Sequence, residues 1–465
     1  MPVETRYQDY LRVEPCVVAA GQTTQMTIQI VPGQADPEKG FAIRAGCLHL
    51  GKNLCVLRLV GLQYPGDQTL GDRLVNYVAQ EAEQTLTAEL FFPREQEYQL
   101  RFYSVAAGKE LLMACLAVYA LESDLLACRP WKGDLHLHSI RSDGKDTPQH
   151  VAAACRCIGF DFMAVTDHRQ FAPSLEAIAA FTDVPVDLTF YTGEEVHAPD
   201  NPVHIVHIGG ARSINDRFDS EEYRQAIRER IAGQLPLPSD VDPAVYASTS
   251  WIFEQVAAGG GLSIFCHPYW INANSQYRQG YYINEPLTTR LMEDQAYDAL
   301  EVLGGYHLFE TDSNNLQLAR YHEERAAGRK IPIVGVSDAH GCETGKLFGW
   351  FFTIVFSHTT ELADVKRAIK DCRSVAVEAL PGEVVRVHGP FRLVQYALFL
   401  LRAYFPRHDQ LCRAEGDAML MYIGESSGQD CLDQTAAAER LRQLQGQVSV
   451  LQDHLFDDKT RRRQS

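Results

Sequence analysis

The chain has 465 residues, enough for two or three domains and a large buried core. Lys and Arg number 43 against 60 Asp and Glu, a net charge of −17, which excludes bulk attraction to nucleic-acid phosphates or anionic lipid while leaving room for a local pocket that binds a small anion. There is no basic-then-apolar leader pattern, the apolar run 111–121 is too short to span a bilayer, and the Cys residues form no paired knuckles, so a soluble, cytoplasmic protein with reduced thiols is expected.

Residues 1–130 read as short strands near 25–31, 42–50, 55–60, 85–92, 97–104 and 111–121, punctuated by Pro32-Gly33 and Tyr64-Pro65-Gly66. That rhythm predicts an antiparallel β-sandwich-like domain. It carries one histidine, His49, and no ligand cluster, so it is expected to support the chemistry without entering it.

Beyond Trp131 the pattern changes to strand then helix. Gly133-Asp134-Leu135-His136-Leu137-His138 places two imidazoles at i, i+2, on one face of a strand, with Asp143 in the loop that follows. Thr147 and Pro148 then open a helix, as N-cap and first helical residue. Further apolar strands end in Thr166-Asp167-His168, in Gly193-Glu194-Glu195, in Cys266-His267 and in Ser337-Asp338-Ala339-His340, and a sixth run holds His204 and His207. Strands that finish in His, Asp or Glu describe a parallel barrel with its site at the C-terminal rim. Imidazoles and carboxylates without clustered thiolates suit zinc, manganese or iron. Insertions at 210–250 and 269–297 follow rim strands, where loops set substrate choice.

After about 381 a helical extension is expected: one apolar helix from 390, a second over 415–422, and a third over 433–455. The third carries Leu441, Leu444, Val448, Leu451 and Leu455 at helical spacing. Such a stripe docks on its own protein or forms a homo-oligomer contact.

The set HLHS with SDG, TDH, GEE, CHP and SDAH, in that order over 131–380, resembles the PHP (polymerase and histidinol phosphatase) superfamily of metallohydrolases, and the β-rich segment before it resembles the carbaryl-hydrolase-like branch. The resemblance implies a distorted (β/α)7-type TIM-like barrel and two or three divalent metal ions. It implies His136, His138, Glu195 and Asp338 around one ion, Glu195 bridging to a second held by His267 and by His204 or His207, and Asp143, His168 and His340 around a third. Alignment to the family selects Glu195 over Glu194; spacing alone does not separate His204 from His207, and His204 is preferred. Asp167 is expected to orient His168 through a hydrogen bond, and Arg141 and Arg169, the nearest cations in sequence, to grip a phosphate. His197 and His307 match no motif and read as ordinary polar residues. The implied activity is metal-dependent hydrolysis of a small anionic phosphate ester such as a nucleotide or sugar phosphate, with a carboxylester or carbamate hydrolase as the alternative, and a non-catalytic metal-binding scaffold or polymerase accessory domain as the reading from another class. Neither a nucleic-acid nor a membrane partner is expected.

Overall fold

A computed structural model describes residues 11–30, 55–63, 77–80, 83–106, 109–233, 236–274, 277–305, 311–343, 347–424 and 434–457. The chain divides into two compact units, one of Met1–Cys128, Leu398–Arg407 and Gln447–Ser465, the other of Arg129–Ala397 and His408–Gly446. Residues 381–465 therefore make no unit of their own. They are shared between the other two.

Among the described residues, the first unit contains eight strands: β1 (Leu11–Glu14), β2 (Val17–Ala19), β3 (Gln22–Ile30), β4 (Cys55–Gly61), β5 (Tyr77–Gln80), β6 (Glu83–Phe92), β7 (Gln96–Ala106) and β8 (Lys109–Leu121). They form two four-stranded sheets, in orders β1-β3-β6-β5 and β2-β8-β7-β4. Period-two burial marks their inner faces, as in Met26 with Ile28, Leu90 with Phe92, and Leu116 with Val118. C-terminal residues complete this unit: Cys16 N donates to Leu455 O, Asp457 N donates to Val17 O, and Val17 bridges Phe456. The expected strand at 42–50, with His49, lies outside the described residues.

The second unit is mixed α/β. One sheet runs β11-β10-β9-β19-β20-β21, made of β9 (Arg129–Asp134), β10 (Phe162–Ala164), β11 (Thr189–Tyr191), β19 (Phe351–Ser357), β20 (Ser374–Glu378) and β21 (Arg386–His388). The other runs β12-β13-β14-β17-β18, made of β12 (Gly193–His197), β13 (His204–Ile208), β14 (Leu262–Phe265), β17 (Ala299–Leu303) and β18 (Ile333–Gly335). Pairing is parallel for β9-β10-β11 and for β14-β17-β18, but β12 and β13 form an antiparallel hairpin. Two isolated bridges, Leu137 with Ala339 and His168 with Glu195, link the ends of the two sheets. Helices cover strand-to-strand connections, as at Pro148–Cys157, where Thr147 accepts from His150 N and Pro148 sits in the first turn.

The segment expected as one helix over 433–455 is two, Gln434–Leu444 and Gln447–Leu455. Gly446 between them has φ +77°, a left-handed conformation that ends a helix at low cost for glycine. Leu441, Leu444, Val448, Leu451 and Leu455 are all buried within the single chain. No helix among the described residues is long and apolar enough to cross a membrane.

Candidate metal centre

The site forms where the strands of the second unit run out. At the end of β9, the buried Asp134 carboxylate accepts from His136 N and Ser337 N, tying the segment after β9 to the one after β18. His136 and His138 follow, and Asp338 N donates to His136 O. The next loop folds back tightly: Gly144 N donates to Ser139 O, and a Cβ at Gly144 would lie 2.6 Å from the His138 carbonyl oxygen, so only glycine fits there. Three non-glycine residues at these strand ends, Arg169, His267 and Asp338, adopt φ of +59°, +30° and +53°. Local strain of this kind persists where surrounding structure holds it in place, and it concentrates at functional sites.

The β12–β13 hairpin decides which of two adjacent acids and two nearby histidines enter. Its register pairs Glu195 with Val206, His197 with His204, and Glu194 with His207. Residues alternate faces along each strand, so Glu195, His197 and His204 share one face while Glu194 and His207 share the other. On that second face Glu194 accepts from Ser213 Oγ at 2.6 Å and from Asn215 Nδ2 at 2.9 Å, and contacts His207 Nδ1 at 3.1 Å. Glu194 and His207 thus face each other on the side of the hairpin away from Glu195.

Glu195 is the hub of the other face. Its Oε2 lies 2.6 Å from His168 Nδ1 and 3.5 Å from both His136 Nε2 and His138 Nε2, and its Oε1 lies 2.9 Å from His204 Nδ1, 3.3 Å from His267 Nε2 and 3.4 Å from His197 Nε2. Asp338 Oδ1 sits 2.8 Å from His138 Nε2 and 3.3 Å from His136 Nε2. Asp143 Oδ1 sits 3.2 Å from His340 Nε2 and 3.4 Å from His168 Nε2. The structure thus brings together His136, His138, Asp143, His168, Glu195, His204, His267, Asp338 and His340.

Many of these atoms are close without being hydrogen-bonded. His136 Nε2, both ring nitrogens of His138, Glu195 Oε2 and Asp338 Oδ1 are buried with no hydrogen-bond partner among the described residues. A buried polar atom left unpaired costs about 1–3 kcal/mol, and five in one place need another partner. Potential ligand atoms lie within 4.8 Å of one another in the sets His136, His138, Asp338; His136, Glu195, His267; and His138, Asp143, His168, His340. Imidazole nitrogens and carboxylate oxygens at that separation fit divalent metal ions. The electrostatics are divided: against the lowering effect of burial, the neighbouring carboxylates hold His136, His168 and His267 above the ordinary imidazole value. Burial pushes His138 and His204 down to about 4, against the pull of Asp338 and Glu195 respectively, so both rings are neutral and able to ligate near pH 7. Burial would raise the Glu195 carboxyl, but the surrounding imidazoles, His204 first, hold it well below the ordinary carboxylate range.

The remaining expected residues lie elsewhere. Asp167 does not orient His168: its oxygens accept from Ser139 N at 2.8 Å, Ser139 Oγ at 2.6 Å and Ser142 N and Oγ, so it fixes the loop that presents Asp143. A short loop rich in hydroxyls and backbone N–H groups simply outcompetes an imidazole on the adjacent residue. Arg141 is turned to the surface, where Nε and Nη2 hold Glu176 at 2.9 and 2.7 Å. Arg169 is exposed, and its backbone N donates to Glu195 O.

Two residues join the centre without matching a motif. His197 lies 3.0 Å from His168 Nδ1 through its Nε2 and stacks on His204 at 3.8 Å; its i+2 relation to Glu195 was the available signal. Glu301, fully buried in β17, meets His136 Nδ1 at 3.2 Å. A lone carboxylate inside the apolar run Ala299-Leu300-Glu301-Val302-Leu303 was the sign of it. Gly304 leaves room for it, since a Cβ there would stand 1.8 Å from Glu301 Oε1.

No family model matches the chain. Over 113 residues, 24% of this chain, it is 32% identical to the DNA polymerase/3'-5' exonuclease PolX of Bacillus subtilis (strain 168), and the match spans 19% of that protein's length. Among solved structures it is similar to a two-domain protein from Bacteroides vulgatus ATCC 8482 containing a predicted PHP-like metal-dependent phosphoesterase, at 18% identity and TM-score 0.37 over 54% of this chain and 65% of that one. The chain resembles PHP-like proteins. A second solved structure, an amidohydrolase from Chromobacterium violaceum with bound sulfate and no metal, is 20% identical over 45% of this chain and 87% of that one, at TM-score 0.28.

Proposed function

We propose that this chain is a PHP-type metal-dependent hydrolase that cleaves small phosphate esters, and that the two sheets of its second unit are the halves of a distorted TIM-like barrel. The observation that carries the reading is the convergence of imidazoles on both oxygens of Glu195, with His136 Nε2, both ring nitrogens of His138, Glu195 Oε2 and Asp338 Oδ1 buried and unpaired. In this reading His136, His138, Glu195 and Asp338 hold one ion. Glu195, His204 and His267 would hold a second, and Asp143, His168 and His340 a third. Zinc, manganese and iron all suit this donor set. Such ions, when bound, lower the pKa of water toward about 7 and offset charge on the substrate's oxygens.

The chain's own residues position and protect that chemistry. Asp134 and Asp167 lock the two segments that carry the ligands, and Val206 and Ile208, on the same face of β13 as His204, continue as a dry apolar layer away from the site. Phosphate esters gain most from such a centre, because their transition states spread negative charge over several oxygens. A net charge of −17 disfavours long polyanions, so mononucleotides and sugar phosphates suit the site better than DNA.

The test is metal analysis of purified protein together with a substrate panel before and after chelation. Two or three ions per chain and metal-restored hydrolysis of phosphomonoesters are expected, with His138→Ala losing both. Turnover of aryl esters or carbamates alone would move the assignment to carboxylester chemistry, and preference for DNA by kcat/KM at about 0.15 M salt would overturn the small-substrate reading.

A further inference from the structure

Beside the metal centre stands a set of aromatic rings that no ligand assignment uses. The insertion after β14 forms a hairpin of β15 (Ile271–Asn274) and β16 (Tyr277–Tyr281), closed at its base by Tyr282 N donating to Trp270 O. Trp270 and Tyr282 therefore face each other across the hairpin's foot, with ring centroids 4.7 Å apart. They reach the site directly. Trp270 is 6.2 Å from the His204 ring and 5.8 Å from the His267 ring, and Tyr282 is 5.6 Å from His204. These are the imidazoles assigned to the second ion, so the rings stand at one end of the cluster, with Asp143 and His340 at the other.

Aromatic side chains packed only to support two histidines would be buried. Tyr282 instead keeps 39% of its surface exposed and its neighbour Tyr281 48%, and Trp270 is only partly covered. Exposed aromatic surface of this kind, held rigid by a backbone clamp and set against a polar reactive centre, matches the usual anatomy of a small-molecule site: an apolar wall for the organic group and a few polar groups for the reacting one. Aromatic faces also discriminate by shape, since a flat ring stacks or meets them edge-on whereas a puckered ring of similar size does not.

We propose that Trp270 and Tyr282 form the subsite for the organic part of the substrate, and that this part is a planar aromatic group, aryl or nucleobase, joined to the phosphate. The proposal rests on the phosphoesterase reading for the identity of the reacting group. It selects, within small phosphate esters, those bearing a flat ring over plain sugar phosphates. With the phosphoryl group at the Glu195 cluster, a ring bonded through one or a few atoms to the ester oxygen falls within reach of the Trp270–Tyr282 wall.

The experiment uses the metal-loaded full-length protein and two phosphonates that cannot be hydrolysed, benzylphosphonate and cyclohexylmethylphosphonate, which match in charge and size and differ in flatness. Binding is read by calorimetry. The aromatic ligand is expected to bind about tenfold more tightly, the preference to fall to within about twofold in Trp270→Leu, and Trp270→Phe to restore it. Metal content of each variant, measured alongside, shows that His204 and His267 are undisturbed. Equal binding of the two ligands by the wild-type protein would overturn the proposal, as would an equal loss for both in Trp270→Leu at unchanged metal content, which would make the rings mere supports. Turnover of benzyl phosphate is scored separately. Preferential binding without turnover keeps the aromatic subsite and removes the hydrolase reading, whereas turnover without preference does the reverse.

Discussion

Glu301 gives the sharpest test of how the centre is built. Its carboxylate lies 3.2 Å from His136 Nδ1, with both side chains fully buried, while His136 Nε2 faces Asp338 and Glu195. A carboxylate that accepts Nδ1–H fixes the tautomer whose Nε2 lone pair is free for a metal. A hydrogen bond to a charged group is worth about 1.5–3 kcal/mol net and a neutral one about 0.5–1.5. Glu301→Gln keeps an acceptor but loses the charge, so it should weaken metal binding by about 1–1.5 kcal/mol, or roughly tenfold; Glu301→Leu, which removes the acceptor, should approach the hundredfold end of such effects. The assay is competition for zinc or manganese against a chelator of known affinity, with thermal denaturation of the stripped protein as control. Burial pushes the Glu301 carboxyl above its ordinary range, so its charge is a burden on the metal-free fold, and stripped Glu301→Gln should be at least as stable as wild type. Unchanged metal affinity in both variants would refute the reasoning, and a large stability loss in the stripped Gln variant would show Glu301 to be a folding residue.

Other outcomes follow from neighbouring contacts. Gly304→Ala should mimic Glu301→Leu in metal affinity, because the added Cβ would occupy the space of Glu301 Oε1; chelator competition that finds wild-type affinity would rule this out. The Asp161 carboxylate, buried but held below its ordinary range by His408 and Arg156, should support stability fully above about pH 4 and lose that support as pH falls through its lowered folded-state value. Asp161→Asn should therefore cost about 3–5 kcal/mol at pH 7, with the gap to wild type narrowing in acid, and a pH-independent gap in urea denaturation would contradict it. Arg141→Ala should alter phosphate-ester kcat/KM by less than about twofold, since the side chain is engaged with Glu176 at the surface; a tenfold loss confined to phosphate substrates would place Arg141 back at the reacting group.

Much of the centre was legible because each ligand follows an apolar strand, and strand periodicity is local. His136 with His138, His168, His267 and Asp338 with His340 needed only that. Glu195 was preferred to Glu194 on the family resemblance alone and His204 to His207 without a spacing rule, whereas the hairpin register puts Glu195 and His204 on one face and Glu194 and His207 on the other. Register is a non-local property, and no spacing rule contains it. His197 was within reach of local reasoning, two residues on from Glu195 on the same strand face, whereas Glu301 serves through His136 from a strand remote in sequence. Asp167 illustrates the opposite failure, where a neighbour in sequence was given a partner that the fold hands to Ser139 and Ser142. The helix break at Gly446 was readable from a single glycine within an otherwise continuous apolar stripe.

The closing of the first unit by Leu455, Phe456 and Asp457 bears on how the protein is made. A chain emerges from the ribosome N-terminus first, at roughly 5–20 residues per second, and autonomous domains usually fold in that order. Here β2 pairs with β8 about 100 residues on, but its contacts with Leu455, Phe456 and Asp457 form only after some 440 further residues have been synthesised. The intervening unit, contained within Arg129–Gly446, can complete its own pairing before then. The strand β2 is thus finished later than the unit that follows it, and a fragment ending at Cys128 would lack these C-terminal contacts.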